Sequence, residues 1–287
     1  GVMSLSDNAK IENCRAIERE GLSIPDVIGG GVLVVEGRLE ISGGSITGCT
    51  AAKGGDSVFT EPSGGFTMTG GTVDGSIRLS YSVGNNTVYM DGLGTAAYPY
   101  EIGTADQLKT FRDIVNGANG QTQNPAACAK LTNDIVLNDG TFDENGKYTT
   151  SGFIGANPEE WTPIGKYTDD GNNTPYTGTF DGKHYAIKGL YVVNLPDVAV
   201  GLFGGLKGAA VRNLTVDGYV QGCDFVSGIA GDASANSTIE NCRNDCHVVS
   251  EYGADSGSFL YVGGIVGSAA DTTIAGCVNT GVVEARG

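Results

Sequence analysis

Apolar and polar residues alternate along this chain in short runs that break at Gly and Asn, and one four-residue pattern keeps returning. It reads β-branched residue, any residue, Asn or Gly, then Cys or Leu. It occurs as Ile11-Glu12-Asn13-Cys14, Ile46-Thr47-Gly48-Cys49 and Ile187-Lys188-Gly189-Leu190. It returns as Val211-Arg212-Asn213-Leu214, Ile239-Glu240-Asn241-Cys242 and Ile274-Ala275-Gly276-Cys277. The first residue suits a strand. The third is one of the two residue types that enter left-handed backbone most cheaply. The fourth is apolar and of small or medium size. The pattern therefore predicts a strand, a sharp corner and an inward anchor. Copies at 187, 211, 239 and 274 lie 24, 28 and 35 residues apart, a spacing that describes the rungs of a β-solenoid. It predicts that Ile187, Val211, Ile239 and Ile274 stack in one inward row.

The pattern of the first section, residues 1–95, is shorter and punctuated by Gly. Leu39 to Cys49 aligns without gaps on Phe66 to Ser76, an offset of 27. Leu39/Phe66, Ile41/Met68 and Ile46/Val73 then fall at inward positions, and the Gly43-Gly44 and Gly70-Gly71 pairs at corners. The corner at Asn13 precedes the one at Gly48 by 35 residues, which predicts an insertion around Ile17 to Pro25. A boundary near Tyr98-Pro99 separates a second section, 96–287.

That section opens with one helical pattern, near 104–116. Thr104 is placed to cap it and Gln107 to close a capping box. Leu108, Phe111, Ile114 and Val115 form its apolar stripe, and Asn116-Gly117 ends it. Such a helix would cover one end of the second array. Leu131 to Leu137 reads as a buried strand. Two polar excursions follow, Asn138 to Lys147 and Asp169 to Thr174, and the repeats then run to the end. The fold class expected is all-β: a right-handed parallel β-helix with one short capping α-helix.

Composition sharpens this picture. Gly (47) and Pro (8) make up about a fifth of the 287 residues, below the roughly 25–30% at which low complexity becomes the default. Charged residues are 17%, against about 25% in ordinary globular chains, which argues against helix-rich surfaces. The net charge of −16 excludes a basic groove for nucleic acid and adhesion to anionic membrane. No run is long and apolar enough to span a bilayer or to read as a signal peptide. The first and last residues read as boundaries cut within a longer protein.

Of seven cysteines, Cys14, Cys49, Cys242 and Cys277 share the anchor position. Stacked from rung to rung their Cβ vectors run parallel rather than converge, so they are expected to be buried free thiols.

Three strings, Gly201-Leu202-Phe203-Gly204, Gly228-Ile229-Ala230-Gly231 and Gly264-Ile265-Val266-Gly267, resemble the GLUG motif of bacterial surface proteins. That repeat also occurs beside the catalytic region of IgA-protease-type enzymes. The order of Tyr100-Glu101-Ile102, the Thr104 helix, Leu131 to Ile135, Trp161 to Gly165 and Gly178 to Gly182 is similar to that family's lead-in. The resemblance covers about 98–287. The first section more loosely resembles Gly-rich β-helical repeats of large surface proteins. The resemblance implies a secreted or cell-surface location and a multidomain parent, and it carries no catalytic residues. The family's Asn-x-Gly turn is kept at Asn279-Thr280-Gly281 but becomes Asn244-Asp245-Cys246, where a Cys either strains the turn or marks a different local conformation.

Candidate chemistry is sparse. The two His, His184 and His247, sit in strand-like sequence and form no His-Glu-x-x-His pair. Cys246 and His247 are neighbours whose side chains should point to opposite faces. A polysaccharide-cleaving β-helix would need paired carboxylates, and no motif selects a pair. Hard oxygen donors cluster at Asp139, Asp143, Glu144 and Asn145, and again at Asp169, Asp170, Asn172 and Asn173. Either loop reads as a solvated turn or as a Ca2+ site. Trp161, Tyr167 and Tyr176 flank the second loop. Trp161 reads as a fold residue, while Tyr167 and Tyr176 are candidates for stacking on a sugar. The expectation is a non-catalytic segment acting as an adhesin-like binding module or a stiff stalk, monomeric and without a required cofactor, whose partner is a host glycan or an extracellular protein. The alternative is a carbohydrate-cleaving β-helix enzyme.

Overall fold

A computed structural model describes residues 1–16, 30–51, 56–61, 63–150, 153–154, 157–168, 173–193, 198–251 and 261–286. The chain is all-β with one α-helix, and most strand pairs are parallel. It divides into two compact units, Gly1–Leu93 and Gly94–Gly287.

In the first unit, Val2–Leu5, Gly37–Ile41 and Gly64–Met68 pair in parallel, as do Lys10–Glu12, Ser45–Thr47 and Thr72–Val73. Leu39 pairs with Phe66, Ile41 with Met68 and Ile46 with Val73, the register expected from the gapless alignment. Leu39, Ile41 and Ile46 are buried. Gly44 turns its corner at φ +74°, and a Cβ there would lie 2.3 Å from the Ala9 carbonyl oxygen. The expected insertion at Ile17 to Pro25 lies outside the described residues. This unit also holds an antiparallel hairpin, Ile77–Val83 with Asn86–Asp91.

The corner pattern holds in both units. Asn13, Gly48, Gly189, Asn213, Asn241 and Gly276 all have φ between +52° and +70°. Conformation alone does not choose between Asn and Gly. A Cβ on Gly276 would lie 2.4 Å from Asn241 Oδ1, so the amide of one repeat occupies the space left open by the next. Asn213, in turn, accepts from the Asn241 amide at 3.4 Å.

In the second unit the helix spans Ala105–Asn116. Thr104 Oγ1 accepts the Gln107 N–H, and the Gln107 side chain reaches back to accept the Gly103 N–H. Gly117, at φ +66°, ends it. Leu108, Phe111, Ile114 and Val115 are all buried. The Phe111 ring meets Tyr100, Tyr176 and Phe180 at centroid distances of 6.4, 6.0 and 5.7 Å. Burying one such side chain contributes about 1.5–3 kcal/mol.

A row of paired residues runs Tyr100, Ala129, Phe180, Val211, Ile239, Ile274. Val211 and Ile239 are fully buried, and Ile274, in the last strand of the row, is 43% exposed. Ile187 is not in this row. It pairs with Ile135 and Val216 on another sheet. The same strand-and-corner chemistry serves more than one sheet, so sequence alone assigned Ile187 to the wrong one. The outward neighbours run Glu101, Lys130, Asp181, Arg212, Glu240, alternating in sign. At a strand spacing of about 4.8 Å, like charges in such a row would repel.

Three further expectations change. Leu131 to Leu137 is not one strand: Ala129–Leu131 and Ile135–Val136 belong to different sheets, and Val136 is exposed. The Asn138 excursion is a small antiparallel sheet, Thr141–Phe142, Tyr148–Thr150 and Phe153–Ile154. His184 lies in a turn rather than a strand, with Lys183 and His184 both left-handed. Asp181 sets that turn by accepting the Lys183 N–H. Neither Cys246 nor its counterpart Gly281 is left-handed, so neither expectation holds: the position needs no Gly, and a Cys sits there unstrained in the same local conformation.

Candidate functional site

Strands Ala199–Val200, Phe225–Ser227 and Tyr261–Gly263 form a parallel sheet in which Ala199, Phe225 and Tyr261 share a row. Val200 and Val226 are fully buried, so by the two-residue period Phe225 and Tyr261 face outward. Tyr167 runs alongside, its carbonyl accepting from the Val198 and Ala199 N–H groups. Its ring meets Phe225 edge-on at 6.1 Å, and Phe225 meets Tyr261 at 5.2 Å. The small Ala199 leaves the gap that brings Tyr167 and Phe225 together. The result is a ridge of three rings, half-buried at Tyr167 and Phe225 and 46% exposed at Tyr261. Rings of this kind offer an apolar face and a polar hydroxyl tip. Sequence reasoning found Tyr167 and missed Phe225 and Tyr261. A signal existed in the repeated aromatic-Val-x-Gly at Phe225-Val226-Ser227-Gly228 and Tyr261-Val262-Gly263-Gly264.

A carboxylate stands one row away. Gly205 lies against the Tyr167 side chain and pairs with Asp232, which pairs with Ser268. Burial raises the Asp232 carboxyl above its ordinary value, opposed by a hydrogen bond from Ser268.

Tyr176 is not part of this surface. It is completely buried, stacks on Phe203 at 5.5 Å and donates to the Ala127 carbonyl at 2.7 Å. Burial pushes its phenol well above 10. The helix delivers Phe111 onto it, which closes off the face a sugar would need. Trp161 is a fold residue, buried, with Nε1 donating to the Leu202 carbonyl and Arg112 over its ring.

The Asn138 excursion is anchored by aromatics. Tyr191, Tyr219 and His247 share a row. Phe142 stacks on Tyr191 at 5.2 Å with planes 3° apart. Gly146 rests against the Tyr219 ring, and Arg286 Nη2 donates to the Glu144 carbonyl. Asp139 and Asp143 are both exposed on this segment. Asp143 Oδ1 accepts the Lys147 and Asn145 N–H groups, the former first in holding its carboxyl below the ordinary value. Asp139 Oδ1 accepts from the Tyr148 hydroxyl. Among the described residues no three His, Cys, Asp or Glu side chains group closely enough to hold a metal ion. Asp169 and Asp170 lie outside the described residues.

One carboxylate pair emerges that the sequence did not select. Asp217 and Asp245 follow the paired residues Val216 and Asn244 on adjacent strands. Packing around its carboxyl, then the Asp245 charge, raises Asp217. Burial opposes ionisation of Asp245, but Arg243, bonded to both its oxygens, and the Thr280 hydroxyl lower it. Cys246, next along, is fully buried, and burial pushes its thiol well up. His247 turns the other way, 3.5 Å from Glu284. A reactive cysteine needs the opposite shift.

No family model matches the sequence. No curated protein matches it either. A crystal structure at 1.30 Å of a protein from Bacteroides ovatus, provisionally assigned as an immunoglobulin A1 protease, is similar at 21% identity and a TM-score of 0.43. The match covers 68% of this chain and spans 60% of that one.

Proposed function

We propose that this chain is a non-catalytic, monomeric binding segment of a secreted bacterial surface protein, built as a right-handed parallel β-solenoid of GLUG-like repeats. The observation that carries the reading is the outward ridge of Tyr167, Phe225 and Tyr261. A protein gains little stability by leaving a ring such as Tyr261 46% exposed, and contiguous exposed apolar surface marks binding sites. The parallel registers and the recurring left-handed corners support the solenoid. Net charge of −16 speaks against nucleic acid. Among the described residues no helix is long and apolar enough to cross a membrane. The partner is a glycan or an extracellular protein, and the ridge favours the glycan because aromatic faces stack on sugar C–H surfaces. The reading requires no cofactor. An array of glycans and host extracellular proteins, probed with and without Ca2+, tests it. Selective glycan retention supports the reading, and an empty array counts against it.

A second reading, a polysaccharide-cleaving enzyme, is favoured by Asp217 and Asp245, whose carboxyls are shifted in opposite directions. Such splitting separates an acid from a base. Product analysis after long incubation with acidic and neutral polysaccharides distinguishes the two. Cleavage that is lost in Asp217→Asn would replace the binding reading.

A further inference from the structure

We propose a second binding site, independent of the aromatic ridge: a cleft on the second unit that takes a carboxylate-bearing sugar. The cleft has a volume of about 240 Å3 and is lined by Pro99, Lys130, Thr179, Asp181, Lys183 and Arg212 among others. In a chain with 17 Lys and Arg against 33 Asp and Glu, three cations meeting at one small cavity is a local exception.

Asp181 assembles the site without occupying its cations fully. Its side chain is 8% exposed. Oδ1 accepts the Lys183 N–H and the Asn213 amide, each at 3.0 Å, and Oδ2 accepts Arg212 Nε at 3.0 Å. Arg212 thus spends one N–H, and its two Nη groups have no protein partner among the described residues. Lys183 Nζ stands 3.4 Å from Asp181 Oδ2 with its side chain 52% exposed. Lys130 is paired with Glu101 at 2.9 Å. Glu240 follows Arg212 in the outward row but makes no ion pair with it. The donors left for a ligand are therefore the Arg212 fork, the Lys183 ammonium and the Thr179 hydroxyl.

This set fits a carboxylate on a small polar ring. A guanidinium presenting two Nη groups matches a carboxylate in a bidentate pair. Pro99 and Ala96 give the cleft an apolar side for the C–H face of the ring. The volume is below the roughly 300 Å3 at which drug-sized pockets begin, so the occupant is a single residue of an acidic glycan.

The test is an NMR titration of the full chain with glucuronate, galacturonate, glucose and a sulfated monosaccharide, with sodium chloride matching ionic strength. The uronates are expected to shift the amide signals of Lys130, Lys183 and Arg212 and to lose affinity as salt rises. Arg212→Gln and Lys183→Gln are each expected to weaken uronate binding about tenfold or more, with Lys207→Gln, at an exposed cation outside the cleft, leaving it unchanged. Lys183→Gln alters an exposed side chain, so it decides the matter even where Arg212→Gln perturbs Asp181. Equal binding of glucose, preference for the sulfated sugar, no response to any uronate, or wild-type affinity in the Lys183 variant would each overturn the proposal. Loss of uronate binding on Tyr261→Ala would assign it to the ridge instead.

Discussion

Asp181 links charge to stability at the residue scale. Burial alone would raise its carboxyl, but the Asn213 amide, the Lys183 N–H and Arg212 outweigh it and hold the value at about 2, against 3.8. A carboxyl depressed on folding stabilises the folded state above its unfolded value, and that contribution is lost as pH falls through the folded one. The shift corresponds to roughly 2 kcal/mol. Denaturant unfolding should therefore show stability falling between about pH 4 and about pH 2. Asp181→Asn should flatten that fall, and an unchanged slope in the variant would contradict the role given to Asp181. Thiol reactivity gives a second residue-scale outcome. No cysteine is in a disulfide, and burial pushes Cys242 up to about 12. Cys223, the exposed one, should label first with a thiol reagent, Cys14 and Cys277 more slowly, and Cys128, Cys242 and Cys246 only on unfolding. The sequence placed all four anchor cysteines inside. Cys14 and Cys277 are half-exposed because each follows an edge strand, Lys10–Glu12 or Thr273–Ala275, a fact no single repeat contains.

At the scale of elements, the corner and the row make separate predictions. Ile239→Ala should cost roughly 2–5 kcal/mol, as for a buried aliphatic. Ile274→Ala should cost clearly less, since that side chain is 43% exposed. Equal losses in thermal unfolding would contradict the row. Phe142→Ala should release the Asn138 excursion from Tyr191, read as faster hydrogen exchange at Tyr148 and Thr149 with the parallel sheets unaffected. The corners were legible because a left-handed residue needs Asn or Gly wherever it occurs. The helix was legible because its cap, stripe and terminator are all local. The row of Ile187 was not, because which sheet a copy of the pattern joins depends on strand pairing distant in sequence. Tyr176 was not, because its burial depends on Phe111, far away in sequence. Phe225 and Tyr261 looked like ordinary strand residues until the register brought their rings together.

For the whole molecule, parallel pairing brings outward side chains of successive repeats into rows, and the proposed binding surfaces are built on such rows. Composition fixed the acidic character, a net charge of −16, but not where the local exceptions lie. Asp181 and Arg212 share a row in the cleft, and Phe225 and Tyr261 share one in the ridge, so only the register reveals them. The ridge of Tyr167, Phe225 and Tyr261 is the proposed glycan site. The most direct measurement is the affinity of wild type and Tyr261→Ala for glycans retained by the array, alongside the melting temperature of each. Tyr261 is 46% exposed, so its removal should leave the melting temperature unchanged while binding drops by about tenfold or more. Undiminished binding in the variant, or no glycan retained by the wild type, would contradict the account.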